Sequence, residues 1–242
     1  LKNSLSENDV TVMSIFVNPT QFNNAEDLDK YPRTLERDVQ IMQDLSNNII
    51  VYAPEVADIY EGNTVSESFN YDGLENQMEG KHRPGHFDGV GTIVKKLFEI
   101  IKPTNAYFGE KDFQQLQIVR KLVAKYKIPV NIIGCEIFRE ESGLAMSSRN
   151  ERLSESAKNE SKLIFQILNK AKEKFTVKSA SEVITFVEKE FKKHPNFTLE
   201  YFEIAAEDTL LTCKRKVKNK KYRGFIAVFI ENIRLIDNIS LK

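Results

Sequence analysis

A chain of 242 residues with 41% hydrophobic content can bury a sizeable core and fits one large or two modest domains. Its 35 basic and 35 acidic side chains balance, so no global field draws it to nucleic acid or to an acidic membrane, and any anion binding must be local. Cys135 and Cys213 lack metal-type spacing, which argues against a disulfide framework and suits a reducing, cytosolic setting with both as buried small residues. The longest apolar run, Phe225 to Ile230, is far too short to span a membrane.

In chain order, Leu1 to Leu5 has the character of a helix tail. Val10 to Val17 is apolar on nearly both faces, which predicts a central strand of a parallel sheet, ended by Asn18-Pro19. Ligands of open α/β sheets sit beyond the carboxyl ends of strands, so Thr20, Gln21 and Phe22 fall where a substrate would be read; a plain polar turn is the alternative. Thr34 is placed to cap a helix with the apolar stripe Leu35, Val39, Met42 and Leu45. Asp38, on its solvated face, is within reach of a metal–phosphate group. Ile49 to Pro54 is a second strand, closed by proline.

Residues 55–80 have loop-like punctuation. His82 and His86 are four apart, but Pro84 and Gly85 between them disfavour a helical metal pair. A loop carrying Arg83 and His86 can instead meet a substrate carboxylate. Thr92 to Ile101 predicts an amphipathic helix ended before Pro103.

The stretch Tyr107 to Leu116 organises the chain. Ala106, Tyr107 and Phe108 suit a strand, Gly109 is expected to turn the backbone where a Cβ would obstruct, and Asp112 with Gln115 has the spacing of a capping pair. A helix start offers unpaired N–H groups and the positive end of its dipole, to which Lys111 adds an ammonium: a grip for phosphate or carboxylate. Pro129 to Cys135 predicts another buried strand. A charged turn at Arg139 to Gly143 then leads into Leu144-Ala145-Met146-Ser147-Ser148-Arg149-Asn150. Two hydroxyls and a guanidinium on one loop can wrap a triphosphate; a serine-rich turn before a helix capped by Ser154 is the plainer reading.

Composition shifts after Arg152. Two Lys/Glu-rich helices, Ser156 to Lys174 and Ser179 to Lys193, precede strand-like runs at Thr198 to Ile204 and Gly224 to Ile230, which predicts a smaller α+β domain over 151–242 after a domain over 1–150. Lys214 to Arg223 holds seven basic residues in ten. Tyr222 is its one aromatic, so a solvated hairpin tip is preferred to a nucleic-acid patch.

Taken together, Ser14 to Phe22 (Ser-Ile-Phe-Val-Asn-Pro-Thr-Gln-Phe), Tyr31-Pro32-Arg33-Thr34, Arg83-Pro84-Gly85-His86-Phe87, Phe108 to Gln115 and Gly143 to Asn150 occur in the order and spacing of the pantothenate synthetase (pantoate–β-alanine ligase) family, which the chain resembles over nearly its whole length. Arg234-Leu235-Ile236-Asp237-Asn238 also looks like that family. The resemblance implies an α/β fold: a Rossmann-like nucleotidyltransferase domain with a parallel sheet, followed by the small C-terminal α+β domain, in a cytoplasmic homodimer. It implies activation of D-pantoate by ATP with magnesium to pantoyl adenylate, then attack by β-alanine. Carried over, Gln21 and Gln115 bind pantoate, and Gln21 also lies at the β-alanine position. Gly109, Glu110, Lys111 and Asp112 form the nucleotide segment, Phe138 sits on the adenine side, and Met146, Ser147, Ser148 and Arg149 form the phosphate loop, with Lys111 and Arg149 as the catalytic cations. Metal ligands are not assigned. The family's His-x-Gly-His segment is absent from this sequence, whose Leu1 corresponds to the helix beyond it, so the first domain is expected to be N-terminally incomplete. Another nucleotidyltransferase of similar fold, or a non-catalytic fragment, are the rival readings.

Overall fold

The computed structural model describes residues 1–241. In chain order it contains α1 (Lys2–Glu7), β1 (Thr11–Ser14), a 3-10 turn at Pro19–Gln21, α2 (Ala25–Asp29), α3 (Leu35–Leu45), β2 (Ile49–Tyr52), α4 (Val56–Tyr60) and α5 (Met78–His82). Then come α6 (His86–Ile101), β3 (Asn105–Gly109), a 3-10 turn at Glu110–Asp112, α7 (Phe113–Tyr126), β4 (Asn131–Cys135) and a 3-10 turn at Ser148–Arg152. The chain closes with α8 (Glu155–Val177), α9 (Ala180–Phe191), β5 (Thr198–Ala206), β6 (Tyr222–Ile230) and β7 (Ile233–Ser240).

Packing divides this order into two compact units, each discontinuous in sequence. One holds Leu1–Tyr71, Arg83–Phe108 and Ile118–Ile133; the other holds Asp72–His82, Gly109–Gln117 and the chain from Gly134 on. This grouping and the expected division at residue 150 differ over 72–82, 109–117 and 134–150. The physical reason is polar: these stretches carry Glu79, Glu110 and Arg139, whose charges pair with Arg234, Arg223 and Asp237 of the C-terminal strands.

In the first unit β1 and β2 run parallel, with Thr11 opposite Ile49 and Ser14 opposite Tyr52. β1 is shorter and more open than its sequence predicts, with Val10 62% and Met13 37% exposed, because among the described strands it pairs with β2 alone. α3 starts where expected, yet the Thr34 hydroxyl turns to the Asp38 carboxylate at 3.3 Å instead of capping, and Met42 is the buried member of the stripe. α4, inside the supposed loop, is held by a capping box between Glu55 and Asp58. α6 begins ahead of the predicted Thr92. Gly85, at φ 79°, precedes it, and two glycines inside it permit close approach. A Cβ on Gly89 would lie 2.7 Å from the Gln21 nitrogen, and one on Gly91 would strike the Tyr71 hydroxyl.

In the second unit β5, β6 and β7 form an antiparallel sheet in that order, covered by α8 and α9. The first starts on its expected cap, the Ser154 hydroxyl accepting from the Ala157 N–H, and Ser179, expected inside the second helix, instead caps it in a capping box with Glu182. Ile164 and Leu168 of α8 and Val183 and Val187 of α9 pack with Ile226 and Val228 of β6 in one apolar core. β7 contains the Arg234–Asn238 motif, for which no strand is predicted above. Tyr222 and Arg223, counted above with the basic tip, are the first residues of β6 and are buried. Cys213 is buried, whereas Cys135 is only half-buried. No described helix is long and apolar enough to cross a membrane.

Candidate functional site

Within the first unit, Gln21 ends the 3-10 turn that follows β1, and several groups of that unit hold it. Arg83 Nη2 and His86 Nδ1 both reach the Gln21 backbone oxygen, at 3.1 Å and 2.8 Å. A carbonyl only accepts, so Nδ1 of His86 carries the hydrogen. Buried Asn18 donates Nδ2 to the Gly89 carbonyl at 3.1 Å and lies 3.4 Å from Gln21 Oε1. Its own Oδ1 accepts from the Tyr60 hydroxyl at 2.6 Å. Burial raises the Tyr60 pKa, against the lowering effect of its bonds with Thr20 and Asn18, so the phenol stays a neutral donor. Arg83 and His86, considered above for a substrate carboxylate, thus act on the backbone of the turn. Nothing in the sequence marks Asn18, which reads as a strand terminator, or Tyr60, inside the loop-like 55–80, as the support of Gln21.

Asp38 also lies in the first unit, and the residues expected for the nucleotide, with Gln115, all belong to the second. Gly109 has φ −68° and ψ 133°, open to any residue, and no atom lies within 4 Å of where a Cβ would sit; the predicted need for glycine is therefore not met. Asp112 lies inside the 3-10 turn, not at a cap, with its carboxylate 3.7 Å from Lys111 Nζ. The turn is held from β7. Asn238 Nδ2 donates to the carbonyls of Glu110 at 2.8 Å and Lys111 at 2.7 Å, and Asn238 Oδ1 accepts from Arg223 Nη1 at 2.6 Å. Arg223 lies over the Phe113 ring, 3.9 Å from its centroid, and reaches Glu110 Oε2 at 3.2 Å. Gln114 and Gln115 divide the work of a pair of amides. Gln114 is buried, accepting from the Glu79 N–H at 2.9 Å and donating to the Leu74 and Gln77 carbonyls at 2.9 Å and 2.8 Å, while Gln115 is half-buried.

The loop at 138–150 forms a small hairpin. Arg139 and Ala145 bridge antiparallel, and Gly143 turns at φ 90°. The Arg139 guanidinium grips Asp237 of β7 with two bonds, 2.7 Å and 3.0 Å, and lies over the Phe165 ring. Phe138 is 76% exposed and Met146 50% exposed, and the Met146 N–H bonds to the Phe138 carbonyl at 3.0 Å. Two open apolar side chains on one backbone pairing can take a flat ring. The Ser147 hydroxyl accepts from the Arg149 N–H at 3.3 Å and so caps the 3-10 turn that carries Ser148 and Arg149. Asn150 anchors the loop, donating to Glu140 Oε1 and to the Ala145 carbonyl at 3.0 Å and 3.1 Å. Among the described residues no group of three or more His, Cys, Asp or Glu can hold a metal ion.

In the second unit, then, the Lys111 turn and the Arg139 hairpin that leads into the Ser147–Arg149 loop are tied to neighbouring residues of one strand. A family model for pantoate-beta-alanine ligase matches residues 1–240. The pantothenate synthetase of Flavobacterium psychrophilum is 67% identical over 242 residues, covering all of this chain and 86% of the relative. That of Christiangramia forsetii is 51% identical over 240 residues, covering 99% of this chain and 85% of its own. Among solved structures, pantothenate synthetase from Thermus thermophilus gives a TM-score of 0.91 at 36% identity, over 99% of this chain and 86% of that one. Pantoate-beta-alanine ligase from Francisella tularensis, complexed with beta-gamma ATP and beta-alanine, gives 0.75 at 36% identity, over 99% and 82%. With the motifs in register along the sequence and the fold shared over nearly its whole length, the chain belongs to the pantoate-beta-alanine ligase family.

Proposed function

We propose that the chain condenses D-pantoate with β-alanine at the expense of ATP, through pantoyl adenylate. Family membership and the relative complexed with ATP and β-alanine support this reading. The observation that carries it is that β7 holds both the turn that bears Lys111 and the Arg139 hairpin that leads into the Ser147–Arg149 loop. A pantoate carboxylate oxygen attacks the α-phosphorus, the bond from that phosphorus to the bridging oxygen breaks, and pyrophosphate leaves. No protein nucleophile is needed; alignment and charge neutralisation suffice, and Lys111 with Arg149 would supply the cations. The β-alanine amine then attacks the acyl carbon, sheds a proton, and AMP departs with the carboxylate oxygen.

Gln21 and Gln115 are assigned to pantoate, since an amide both donates to and accepts from hydroxyl groups, and Gln21 is also assigned to β-alanine. Glu110, Asp112 and the 146–149 loop are assigned to the nucleotide, with Phe138 and Met146 against adenine. Magnesium in such reactions is held chiefly by phosphate oxygens with one or two carboxylates, and no carboxylate of this chain is assigned to it. When bound, it would offset the triphosphate charge. Homodimer assembly and a cytoplasmic site are carried from the family likeness.

The test is isotopic. Pantoate labelled with 18O in its carboxylate should deliver one labelled oxygen to AMP. Label in inorganic phosphate with ADP formed would mean an acyl phosphate instead, and no pantoate-dependent cleavage of ATP would mean another substrate or no chemistry.

A further inference from the structure

Asp237 and Asn238 are successive residues of β7, and successive side chains of a strand point to opposite faces. Asp237, 5% exposed, receives both prongs of Arg139 at the base of the 139–145 hairpin. Asn238, 1% exposed, gives its amide group to the carbonyls of Glu110 and Lys111, and its oxygen is occupied by Arg223. The two are themselves linked, the Asn238 N–H donating to Asp237 Oδ1 at 2.7 Å. Buried polar groups with every partner in place rigidify what they touch. Here they touch the turn that offers the ammonium and the hairpin that leads into the hydroxyl and guanidinium loop.

We propose that Asp237 and Asn238 are positioning residues of adenylation: one peptide step of β7 fixes the Lys111 turn directly and the Ser147–Arg149 loop through the Arg139 hairpin, so both address one triphosphate in fixed register. Neither residue touches the nucleotide in this account. The inference rests on the function proposed above and deepens it.

The experiment compares two half-reactions in the intact protein. Pantoate-dependent exchange of labelled pyrophosphate into ATP reads adenylation, and conversion of supplied pantoyl adenylate with β-alanine reads the second step. A displacement of about 1 Å at a reacting group costs on the order of 100-fold, so Asn238→Ala should lower the exchange kcat by about that factor. The second step should stay within about threefold, since it needs no alignment of a triphosphate. Asn238→Asp keeps the acceptor for Arg223 and removes both donors to the turn, and should behave like alanine. Asp237→Asn, which weakens the hairpin tie and leaves the Asn238 amide in place, should raise the ATP KM while sparing the second step, and it decides the matter if the Asn238 variants do not fold. Equal loss in both half-reactions would reduce the pair to general scaffolding and overturn the proposal, as would wild-type exchange in Asn238→Asp. Wild-type protein without pantoate-dependent exchange would overturn the functional reading itself.

Discussion

Arg234 and Glu79 form a two-pronged ion pair, Nη1 to Oε2 at 2.8 Å and Nη2 to Oε1 at 2.7 Å, which ties β7 to α5. Glu200 takes the Arg234 Nε at 2.9 Å, and the Tyr201 hydroxyl donates to Glu79 Oε1 at 2.7 Å. Burial, with the Glu79 charge behind it, raises the Tyr201 pKa well above its usual value, so the phenol remains a donor. Burial works to lower the Arg234 pKa, but the bonds and charges of Glu79 and Glu200 override it and raise the value. Removing one partner of a buried pair leaves the other uncompensated. Glu79→Ala should therefore destabilise the protein by about 3 kcal/mol or more, read from urea unfolding, and a loss under about 1 kcal/mol would show that Glu200 alone satisfies Arg234.

Gly89 tests the turn that carries Gln21. Alanine would favour the helix by about 1 kcal/mol on propensity, but its Cβ would meet the Gln21 nitrogen and the Thr20 carbonyl, and backbone cannot step aside as a side chain tip can. Gly89→Ala should raise the pantoate KM about tenfold and leave the ATP KM within about twofold. Steady-state kinetics on both substrates decide this, and equal shifts in the two KM values would contradict it.

Gln115 carries the complementary prediction in the second unit. Gln115→Ala should weaken pantoate binding by about tenfold, the worth of a hydrogen bond to a neutral hydroxyl, as measured by calorimetric titration. Gln114→Ala should instead lower the melting temperature, because its amide satisfies the Glu79 N–H and two carbonyls in the interior. Unchanged pantoate affinity in Gln115→Ala would remove that assignment.

Glu182 gives a pH signature. Bonds from the Ser179 N–H and hydroxyl, then Lys178, depress its carboxyl from 4.5 to about 2. A depressed folded-state pKa means stability that is present above 4.5 and lost as pH falls towards about 2. The melting temperature of the parent should therefore exceed that of Glu182→Gln at pH 6 by a margin that shrinks as the medium is acidified to about pH 2. A margin that stays constant over that range would rule out the carboxylate as the cap.

Much of this was legible in the residues. The cap at Ser154 and the Lys/Glu-rich runs of α8 and α9 gave the helices because local chemistry and tertiary packing agree there. The motifs around Gln21, Lys111 and Arg149 gave the candidate site. What escaped depends on contacts remote in sequence. Nothing local to Asn238 says that its amide will meet the Lys111 carbonyl, and nothing local to Gly89 says that Thr20 will lie against it. Arg223 looked like one more charge in a basic run until its partners, Glu110 and Glu207, were in place. Gly109 shows the opposite failure: a glycine before a helix suggested a turn that a Cβ would obstruct, and the backbone there is ordinary with open space beside it.

Pantoate-dependent exchange of labelled pyrophosphate into ATP by Lys111→Ala tests the central claim most directly, because it isolates the step in which charge develops on the triphosphate. Loss of one well-placed cation should cut the exchange rate by about 100- to 1,000-fold. Exchange within about threefold of the parent rate, in a protein that still binds ATP, would contradict the account.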